Sequence, residues 1–317
     1  MRISRTIAAA LALFATPLSA QSGTSQPASG QWRFDTDADL SATLDCFEAA
    51  GQTVIAAHRG GPTPGLPENS IEAMDALLHA VPAIMEVDVA VSSDRMLFLL
   101  HDDTLDRTTN LTGEAAALDW RALSQARLRD EAGWVTPYRI PTLEQALRWA
   151  KNRTVLEIDF KRDTPRDDVI AMIRAEGMAQ GVVLIAYSLD QAKELHALAP
   201  EMLVSYSMER PSALEEAVAA GIPADRLLAF TGIRTPRPEL YNILDDADVE
   251  VIFGTLGGRN SIDNLLDRYG IDARYAELGE EGVDIIATDR PRAAGEALAG
   301  AGRLQQAGQC GVSRSAE

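Results

Sequence analysis

The hydrophobic pattern of this chain alternates between two kinds of segment. Short apolar runs rich in β-branched residues, typical of buried parallel strands, are separated by longer stretches with apolar residues at helical spacing. Thr142, before one of these helical stretches, is the type of residue that caps a helix at its N-terminus. Nine strand-like runs occur, at residues 53–58, 84–91, 96–101, 154–160, 182–187, 202–207, 226–230, 249–254 and 283–288.

This alternation predicts a parallel sheet covered by helices. We expect an α/β fold of the (β/α)8 TIM barrel type, which needs eight strands and commonly takes about 250 residues. One of the nine runs must then be accessory or not a strand. The link between the second and third runs is too short for a helix, so the barrel should be irregular there. An open, doubly wound sheet is the alternative fold.

The first residues have a different pattern from the rest. Arg2 and Arg5 precede a short, alanine-rich apolar run that ends in Leu-Ser-Ala, which is typical of a secretory signal peptide cleaved after Ala20. The run is too short and too weakly apolar for a stable membrane anchor. We therefore predict a periplasmic or secreted protein. Its divisions are a signal peptide at 1–20, a leader and N-terminal segment at 21–50, a barrel domain at 51–300 and a C-terminal tail at 301–317.

Charge and cysteine content narrow the partners and the compartment. The formal net charge of −18 repels polyanions and anionic lipid, so we expect a small-molecule substrate rather than nucleic acid or a membrane surface. A negative substrate would then need a locally positive pocket. The two cysteines, Cys46 and Cys310, either form one disulfide in an oxidising compartment or stay as free thiols. The sequence leaves the oligomeric state open.

Ionisable residues recur at the ends of four successive strand-like runs. A parallel strand that is buried on both faces should be almost entirely apolar. Because the active sites of α/β barrels gather at the carboxyl ends of the strands, these residues are candidates for catalysis. They are His58 and Arg59, then Glu86 and Asp88, then His101, Asp102 and Asp103, and finally Glu157, Asp159 and Lys161.

The acids in this set are paired at a spacing of two residues. Glu86 and Asp88 point to one face of their strand, and Glu157 and Asp159 do the same. Carboxylates that meet inside a barrel repel one another unless a cation or protons neutralise them. Oxygen ligands suit a hard divalent ion, Ca²⁺ or Mg²⁺. Outward-facing salt bridges are the alternative for each pair, and a weaker one for two pairs on apolar strands.

Two histidines end strand-like runs beside these acids. His58 and His101 suit phosphoryl transfer, in which one imidazole takes a proton from the attacking oxygen and the other gives a proton to the leaving alcohol. Arg59 and Lys161 would hold the phosphate charge. The pattern therefore predicts a metal-dependent site for phosphoryl transfer.

A family resemblance rests on six stretches that follow one another along the chain. The chain resembles the glycerophosphodiester phosphodiesterases, which form part of a superfamily of phospholipase C-like phosphodiesterase barrels, from about Val54 to Pro291. The resemblance implies a barrel enzyme that hydrolyses glycerophosphodiesters to glycerol 3-phosphate and an alcohol, with Ca²⁺ or Mg²⁺. The stretches are AHRGG, PENS, EVDVAVSSDRMLFLLHDDTLDRTTNLTG, IPTLEQAL, LEIDFK and GVDIIATDRP.

The same resemblance implies roles for individual residues. Relatives carry a third acidic metal ligand on the fourth run, where this chain offers two acids. We favour Glu157, and Asp159 is the additional or alternative ligand. The other implied roles are an acid–base pair of His58 and His101, phosphate contacts from Arg59 and Lys161, and metal ligation by Glu86 and Asp88.

Two positions leave the assignment open. Glu68 in PENS either buttresses Arg59 or is a simple turn residue. Gly254 stands where many relatives have an aromatic residue, which leaves the wall of the alcohol or glycerol pocket undefined. The alternatives are a sphingomyelinase D-like phospholipase and a non-catalytic barrel that binds phosphoesters. Direct attack by water and a cyclic phosphate intermediate are both compatible with the pattern.

Overall fold

The computed structural model describes residues 30–161 and 163–315 of the chain. The predicted signal peptide at residues 1–20 and most of the predicted leader lie outside these described residues.

The described residues form strands and helices in alternation. The strands are β1 (Trp32–Phe34), β2 (Val54–Ala57), β3 (Ile84–Val91), β4 (Leu97–Leu99), β5 (Arg127–Arg129), β6 (Val135–Arg139), β7 (Leu156–Phe160), β8 (Val182–Ala186), β9 (Leu203–Ser207), β10 (Leu227–Phe230), β11 (Val251–Gly254), β12 (Ile285–Thr288) and β13 (Val312–Arg314). The helices are α1 (Leu40–Ala49), α2 (Ile71–Ala80), α3 (Trp120–Leu123), α4 (Leu143–Ala150), α5 (Arg166–Ala175), α6 (Leu189–Leu198), α7 (Ser212–Ala219), α8 (Pro238–Asp245), α9 (Ile262–Tyr269), α10 (Arg274–Glu280) and α11 (Pro291–Gly300). Short 3-10 helices span His58–Gly60, Ala115–Ala117 and Ala224–Arg226.

Eight parallel strands close into a barrel. Their order around the barrel is β2, β3, β7, β8, β9, β10, β11 and β12, and β12 pairs with β2 to close it. Helices between successive strands cover the outside, and their apolar faces pack on the strands in one large core. The predicted TIM barrel is confirmed, and the alternative of an open sheet is wrong because both of its edges would have to stay unpaired.

The third strand-like run, residues 96–101, is the accessory one. Its central part forms β4, which pairs antiparallel with the last residues of β3, so that Val89 lies opposite Leu99. The predicted irregularity takes the form of this hairpin, since β3 continues past the barrel and β4 returns along it. His101 therefore follows an accessory strand, and the expectation that it ends a barrel strand is wrong.

The inside of the barrel is apolar at one end and polar at the other. We call the end at the amino termini of the strands the base and the opposite end the mouth. Ile84 and Val155 point inward near the base and pack in the core that fills it. Because side chains alternate along a strand, Glu86 and Asp88 on β3 also point inward, one and two layers nearer the mouth.

A cap closes the base. Residues 30–50 and 301–315, which were predicted as an N-terminal segment and a tail, pack together there, and β1 pairs antiparallel with β13. Phe47 and Leu44 of α1 are buried against the inward-facing residues of the barrel strands, and burial of each stabilises the fold by roughly 1.5–3 kcal/mol. Cys46 and Cys310 form a disulfide, with a Cα–Cα distance of 5.6 Å, which ties α1 to the C-terminal segment.

A small subdomain separates β4 from α4. It contains α3 and the β5–β6 hairpin, and it has its own core around Phe98, Leu123 and Leu128. The chain returns from it to the barrel at α4, where the Thr142 side chain accepts a hydrogen bond from the backbone N–H of Gln145, and the Gln145 side chain bonds back to Thr142. The predicted cap at Thr142 is thus confirmed.

Candidate active site

Four buried carboxylates face inward at the mouth on two neighbouring strands. The pairing of β3 with β7 places Glu86 beside Glu157 in one layer, and Asp88 beside Asp159 in the next. All four are at most 8% exposed. The sequence therefore identified both pairs correctly as inward-facing, and the outward salt bridges considered as the alternative do not form.

Three of the four acids make a group that fits a metal ion. One ligand oxygen from each of Glu86, Asp88 and Asp159 lies within 4.8 Å of the other two. Glu157, the acid favoured from the sequence as third ligand, is not in this group. It lies one layer closer to the base than Asp159, where burial raises its pKa to about 7 against the opposing effect of a hydrogen bond with Ser205.

The charges in this group are incompletely balanced by the protein. Burial, followed by the charge of Asp88, raises the pKa of Glu86 well above its usual range. The Oδ1 atom of Asp159 is buried and has no hydrogen-bond partner among the described residues. A buried carboxylate oxygen without a donor, on an acid grouped with two other carboxylates, fits a hard divalent cation.

Two side chains fix the orientation of the aspartates. Asn69, in the loop after β2, donates to Oδ2 of Asp88 at 2.7 Å and accepts from the Asp88 N–H at 3.0 Å. The Lys161 ammonium lies 3.3 Å from Asp88 and 3.1 Å from Asp159. Burial disfavours the charged form of Lys161, but the two aspartates outweigh it and raise its pKa. Asn69 thus positions a ligand, while the neighbouring Ser70 caps α2.

His58 lies directly after β2, at the edge of the carboxylate group. Its Nδ1 atom is 2.6 Å from Oδ1 of Asp289, which follows the last barrel strand. Burial alone would raise the pKa of Asp289, but the hydrogen bond and charge of His58 outweigh it and lower the pKa. Asp263 in turn accepts from the Asp289 N–H and from the Tyr275 hydroxyl. Among the described residues, no hydrogen bond engages the other ring nitrogen of His58, Nε2.

His101 reaches the site from the accessory hairpin. The backbone N–H of Leu100 donates to the carbonyl oxygen of Asp88 at 3.0 Å, which brings the next residue to the edge of the carboxylate group. Nδ1 of His101 is 2.7 Å from Oδ1 of Asp102. The two histidines are therefore held in the same way, each by one carboxylate at Nδ1.

An arginine missed in the sequence connects the two loops that carry these groups. Arg107 donates two hydrogen bonds to Glu68, at 2.7 and 2.8 Å, and two to Asp102, also at 2.7 and 2.8 Å. Its bonds to Asp102 are the first cause of a pKa well below the usual range for that acid. Glu68 also accepts from Nη1 of Arg59 at 3.2 Å, so the buttressing role predicted for Glu68 is confirmed. We call Glu68, Arg107 and Asp102 the loop clamp.

The backbone at Arg59 is bent into the left-handed region, with φ at 52°. This turn directs the Arg59 N–H to the Glu86 carboxylate, at 2.7 Å. The Nε atom of Arg59 is buried 3.8 Å from Asp88 and has no hydrogen-bond partner among the described residues. Arg59 therefore donates its backbone N–H to one acid of the site and places its guanidinium beside another.

Two clefts meet at this centre. The larger, of about 1160 Å³, borders His58, and the smaller, of about 670 Å³, borders His101. Between them lies a cavity of about 170 Å³ that is lined by both histidines and all four carboxylates. Tyr187, which the sequence did not single out, borders this cavity and the smaller cleft. The site is therefore open on both sides of its polar centre.

The position of Gly254 explains why no aromatic residue stands there. A Cβ atom on Gly254 would lie 2.6 Å from Cγ2 of Ile233 and 3.5 Å from the ring of Phe230. Phe230, at the end of the adjacent strand, lines the central cavity. Phe230 therefore supplies an aromatic wall of this cavity, and Ile233 occupies the space that a side chain at position 254 would need.

The protein is thus a TIM barrel with a cluster of ionisable residues at the carboxyl ends of its strands, where TIM-barrel enzymes have their active sites. No helix in the described part of the chain is both long and apolar enough to cross a membrane.

Comparison with known proteins shows which proteins this chain is similar to. Residues 58–204 match the Glycerophosphoryl diester phosphodiesterase family, which confirms the resemblance seen in the sequence. The chain is 33% identical over 113 residues to a glycerophosphodiester phosphodiesterase of Bacillus altitudinis, a stretch covering 34% of this chain and 44% of that protein. The curated relatives are matched over 28% to 65% of their own length.

Solved structures match over a larger share of the chain. A glycerophosphoryl diester phosphodiesterase from Parabacteroides distasonis is 28% identical, with a TM-score of 0.80, over 90% of this chain and 100% of that chain. A phosphodiesterase from Oleispira antarctica in complex with the product sn-glycerol-3-phosphate shares the fold, with a TM-score of 0.59 at 19% identity over 78% of this chain and 97% of that chain.

Proposed function

We propose that this protein is an exported, divalent-metal-dependent phosphodiesterase that hydrolyses glycerophosphodiesters to glycerol 3-phosphate and an alcohol. The observation that carries the proposal is the pair of carboxylate-held histidines on either side of the group formed by Glu86, Asp88 and Asp159. A phosphodiester has two arms, and the two clefts that meet at this centre give each arm a place.

Glu86, Asp88 and Asp159 would hold the metal ion, in place of the set with Glu157 favoured from the sequence. A bound Ca²⁺ or Mg²⁺ would neutralise charge on the phosphate oxygens. Lys161, between Asp88 and Asp159, is placed to hold the negative charge that grows on the phosphoryl group. Arg59 offers the same group its Nε atom, which lies 3.8 Å from Asp88 and has no hydrogen-bond partner among the described residues.

The two imidazoles would move the protons of the reaction. One removes a proton from the attacking water as its oxygen forms a bond to phosphorus, and the other donates a proton to the alcohol oxygen as its bond to phosphorus breaks. Asp289 and Asp102 keep Nδ1 of His58 and His101 engaged, so that Nε2 of each ring is free for this exchange. Attack by a hydroxyl of the substrate's glycerol would use the same two histidines.

Export to the periplasm or the medium is supported by two observations. The first twenty residues have the composition of a signal peptide, with cleavage expected after Ala20. The disulfide between Cys46 and Cys310 suits an oxidising compartment.

The direct test is hydrolysis of glycerophosphocholine by the chain beginning at Gln21, with Ca²⁺, Mg²⁺ or EDTA. We expect release of glycerol 3-phosphate that stops on chelation and returns with one of the two ions. Activity that survives full chelation would refute the metal dependence. Release of a cyclic phosphate would show attack by the substrate's own hydroxyl, and binding without turnover would identify a binding barrel instead. Hydrolysis confined to sphingomyelin vesicles would identify the phospholipase alternative.

The roles of the two histidines are separable by the leaving group. H58A and H101A should each lower kcat by about 10²–10⁴-fold with glycerophosphocholine. With a p-nitrophenyl ester, whose leaving group needs no proton, the variant that lacks the general acid should recover most of this loss. Equal losses with both esters in both variants would refute the division into an acid and a base.

A further inference from the structure

The larger cleft carries little uncommitted positive charge. Four arginines line it, and each already donates to groups of the protein. Arg59 bonds with Glu68, Arg107 with Glu68 and Asp102, Arg129 with the carbonyl oxygens of Thr109 and Gly133, and Arg290 with Asp267 and Asp272.

Glu131 differs from the other charged residues of this cleft. It lies in the turn between β5 and β6, with its side chain exposed to the cleft. Within the described ranges, 30–161 and 163–315, no hydrogen bond or ion pair engages its carboxylate. Partial removal from water raises its pKa, and the negative charges of Asp289, Glu68 and Asp130 add to that effect. Glu131 therefore gives the cleft a carboxyl group that no described residue pairs with.

The turn that carries Glu131 is fixed in place. The Asp130 carboxylate accepts from the backbone N–H of Trp134 at 2.8 Å, which closes the turn, and from that of Gly65 at 3.0 Å. Gly65 belongs to the loop that follows β2 and His58. Asp130 thus ties the subdomain to the catalytic loop, and the position of Glu131 relative to His58 is set by the fold.

We propose that the larger cleft receives the cationic end of the substrate, with Glu131 as its counter-charge. The substrate class is glycerophosphodiesters whose alcohol bears an ammonium group, as in the choline and ethanolamine esters. An ammonium gains Coulomb energy beside an unpaired carboxylate, whereas an uncharged glycerol or inositol alcohol does not. This inference rests on the phosphodiesterase activity proposed above.

The test compares glycerophosphocholine with glycerophosphoglycerol, which have the same phosphodiester but differ in the charge of the alcohol. In E131Q, the ratio of kcat/KM for the choline ester to that for the glycerol ester should fall by roughly two- to fivefold, the size expected for an exposed ion pair. E131K should lower the ratio further. Added salt should lower it in the wild-type enzyme because it screens the pair. E296Q removes an exposed acid from α11 and serves as the matched control, with an unchanged ratio.

The ester comparison distinguishes a wrong cationic subsite from a wrong phosphodiesterase assignment. A wild-type protein that hydrolyses neither ester, with either metal, contradicts the phosphodiesterase activity itself. Hydrolysis of both esters with the same ratio in wild type, E131Q and E131K contradicts the cationic subsite alone. A folded E131Q protein, with wild-type circular dichroism and melting temperature, makes either outcome decisive.

Discussion

The two ends of the barrel both bury acids, but the protein surrounds those acids differently. At the mouth, Asp88 receives an amide donor from Asn69 and an ammonium from Lys161, and the ligand oxygens converge. At the base, the acids mainly face other acids. Glu48 has its pKa raised to about 8, first by a hydrogen bond with Asp245 and then by burial.

Glu250, beside β11 at the base, shows the same effect. Burial raises its pKa to about 8, with Asp45 and Asp284 contributing, and its Oε1 atom has no hydrogen-bond partner among the described residues. The comparison teaches that the number of buried acids does not define a site. Fixed donors and converging oxygens at the mouth suit a cation, whereas acids that face one another at the base retain protons and affect stability instead.

The largest effect is expected at the mouth, where two acids two residues apart should differ. D159N should lower metal-dependent kcat/KM by at least about 10²-fold, because it removes a charged ligand oxygen, whereas E157Q should cost less than about tenfold. Titration calorimetry with Ca²⁺ and Mg²⁺ should show weakened binding in D159N alone. The reverse order in both measurements would restore Glu157 as the third ligand.

The matching experiment at the base is removal of the disulfide. The double variant C46S/C310S frees a link between residues 264 positions apart, and it should lower the free energy of unfolding by about 3–5 kcal/mol. The kcat of the protein that remains folded should not change, because the cap does not touch the mouth. Urea denaturation and kcat at low temperature check this. A parallel loss of kcat would show that the two ends are coupled.

An intermediate effect is expected for the loop clamp, which acts through His101 without touching the reacting atoms. R107Q should lower kcat by about 10- to 100-fold, because Asp102 loses the bonds that hold it ionised and oriented. It should also shift the acidic limb of the pH profile of kcat. R95Q breaks an exposed ion pair with Asp168 and is the control, with unchanged kcat. If the pH profile of kcat in R107Q is the same as in the wild type, the loop clamp is only a structural contact.

The smallest effect concerns the pH dependence of stability at the base. Between the ordinary pKa of 4.5 and the folded value of about 8, the folded protein binds more protons at Glu250 than the unfolded chain does. Stability should therefore fall as pH rises from 5 to 8, by on the order of 2 kcal/mol from this residue. E250Q should flatten that slope in urea titrations, and E296Q should not. A slope that E250Q leaves intact would locate the titration elsewhere.

The barrel strands were predictable because each is a short apolar run with a polar residue at its end. The choice between Glu157 and Asp159 was not. Residues two apart share a face, so the periodicity shows that both point inward but not which layer meets Glu86 and Asp88. The neighbouring strand decides this, since the register of β3 with β7 sets the layers.

The sequence pattern also did not reveal residues that bond to the site from distant parts of the chain. Asp289 follows a strand-like run in the same way as His58, so the rule that found His58 could have found it as well. Arg107 lies in the recognised stretch HDDTLDRTTN, but its bonds to Glu68 depend on how two loops pack. The β5–β6 hairpin escaped prediction because Pro137 lies within β6 and a proline argues against a strand.

The hairpin of β3 and β4 has a consequence for how the site can change. Its turn is fixed at Ser92, whose hydroxyl accepts from the Met96 N–H at 2.8 Å. A slip of one residue in the pairing would turn His101 to the opposite face of the strand while leaving the eight barrel strands intact. The placement of His101 and the integrity of the barrel thus depend on separate hydrogen-bond ladders, so a one-residue insertion in this turn should give a folded barrel with a misdirected histidine.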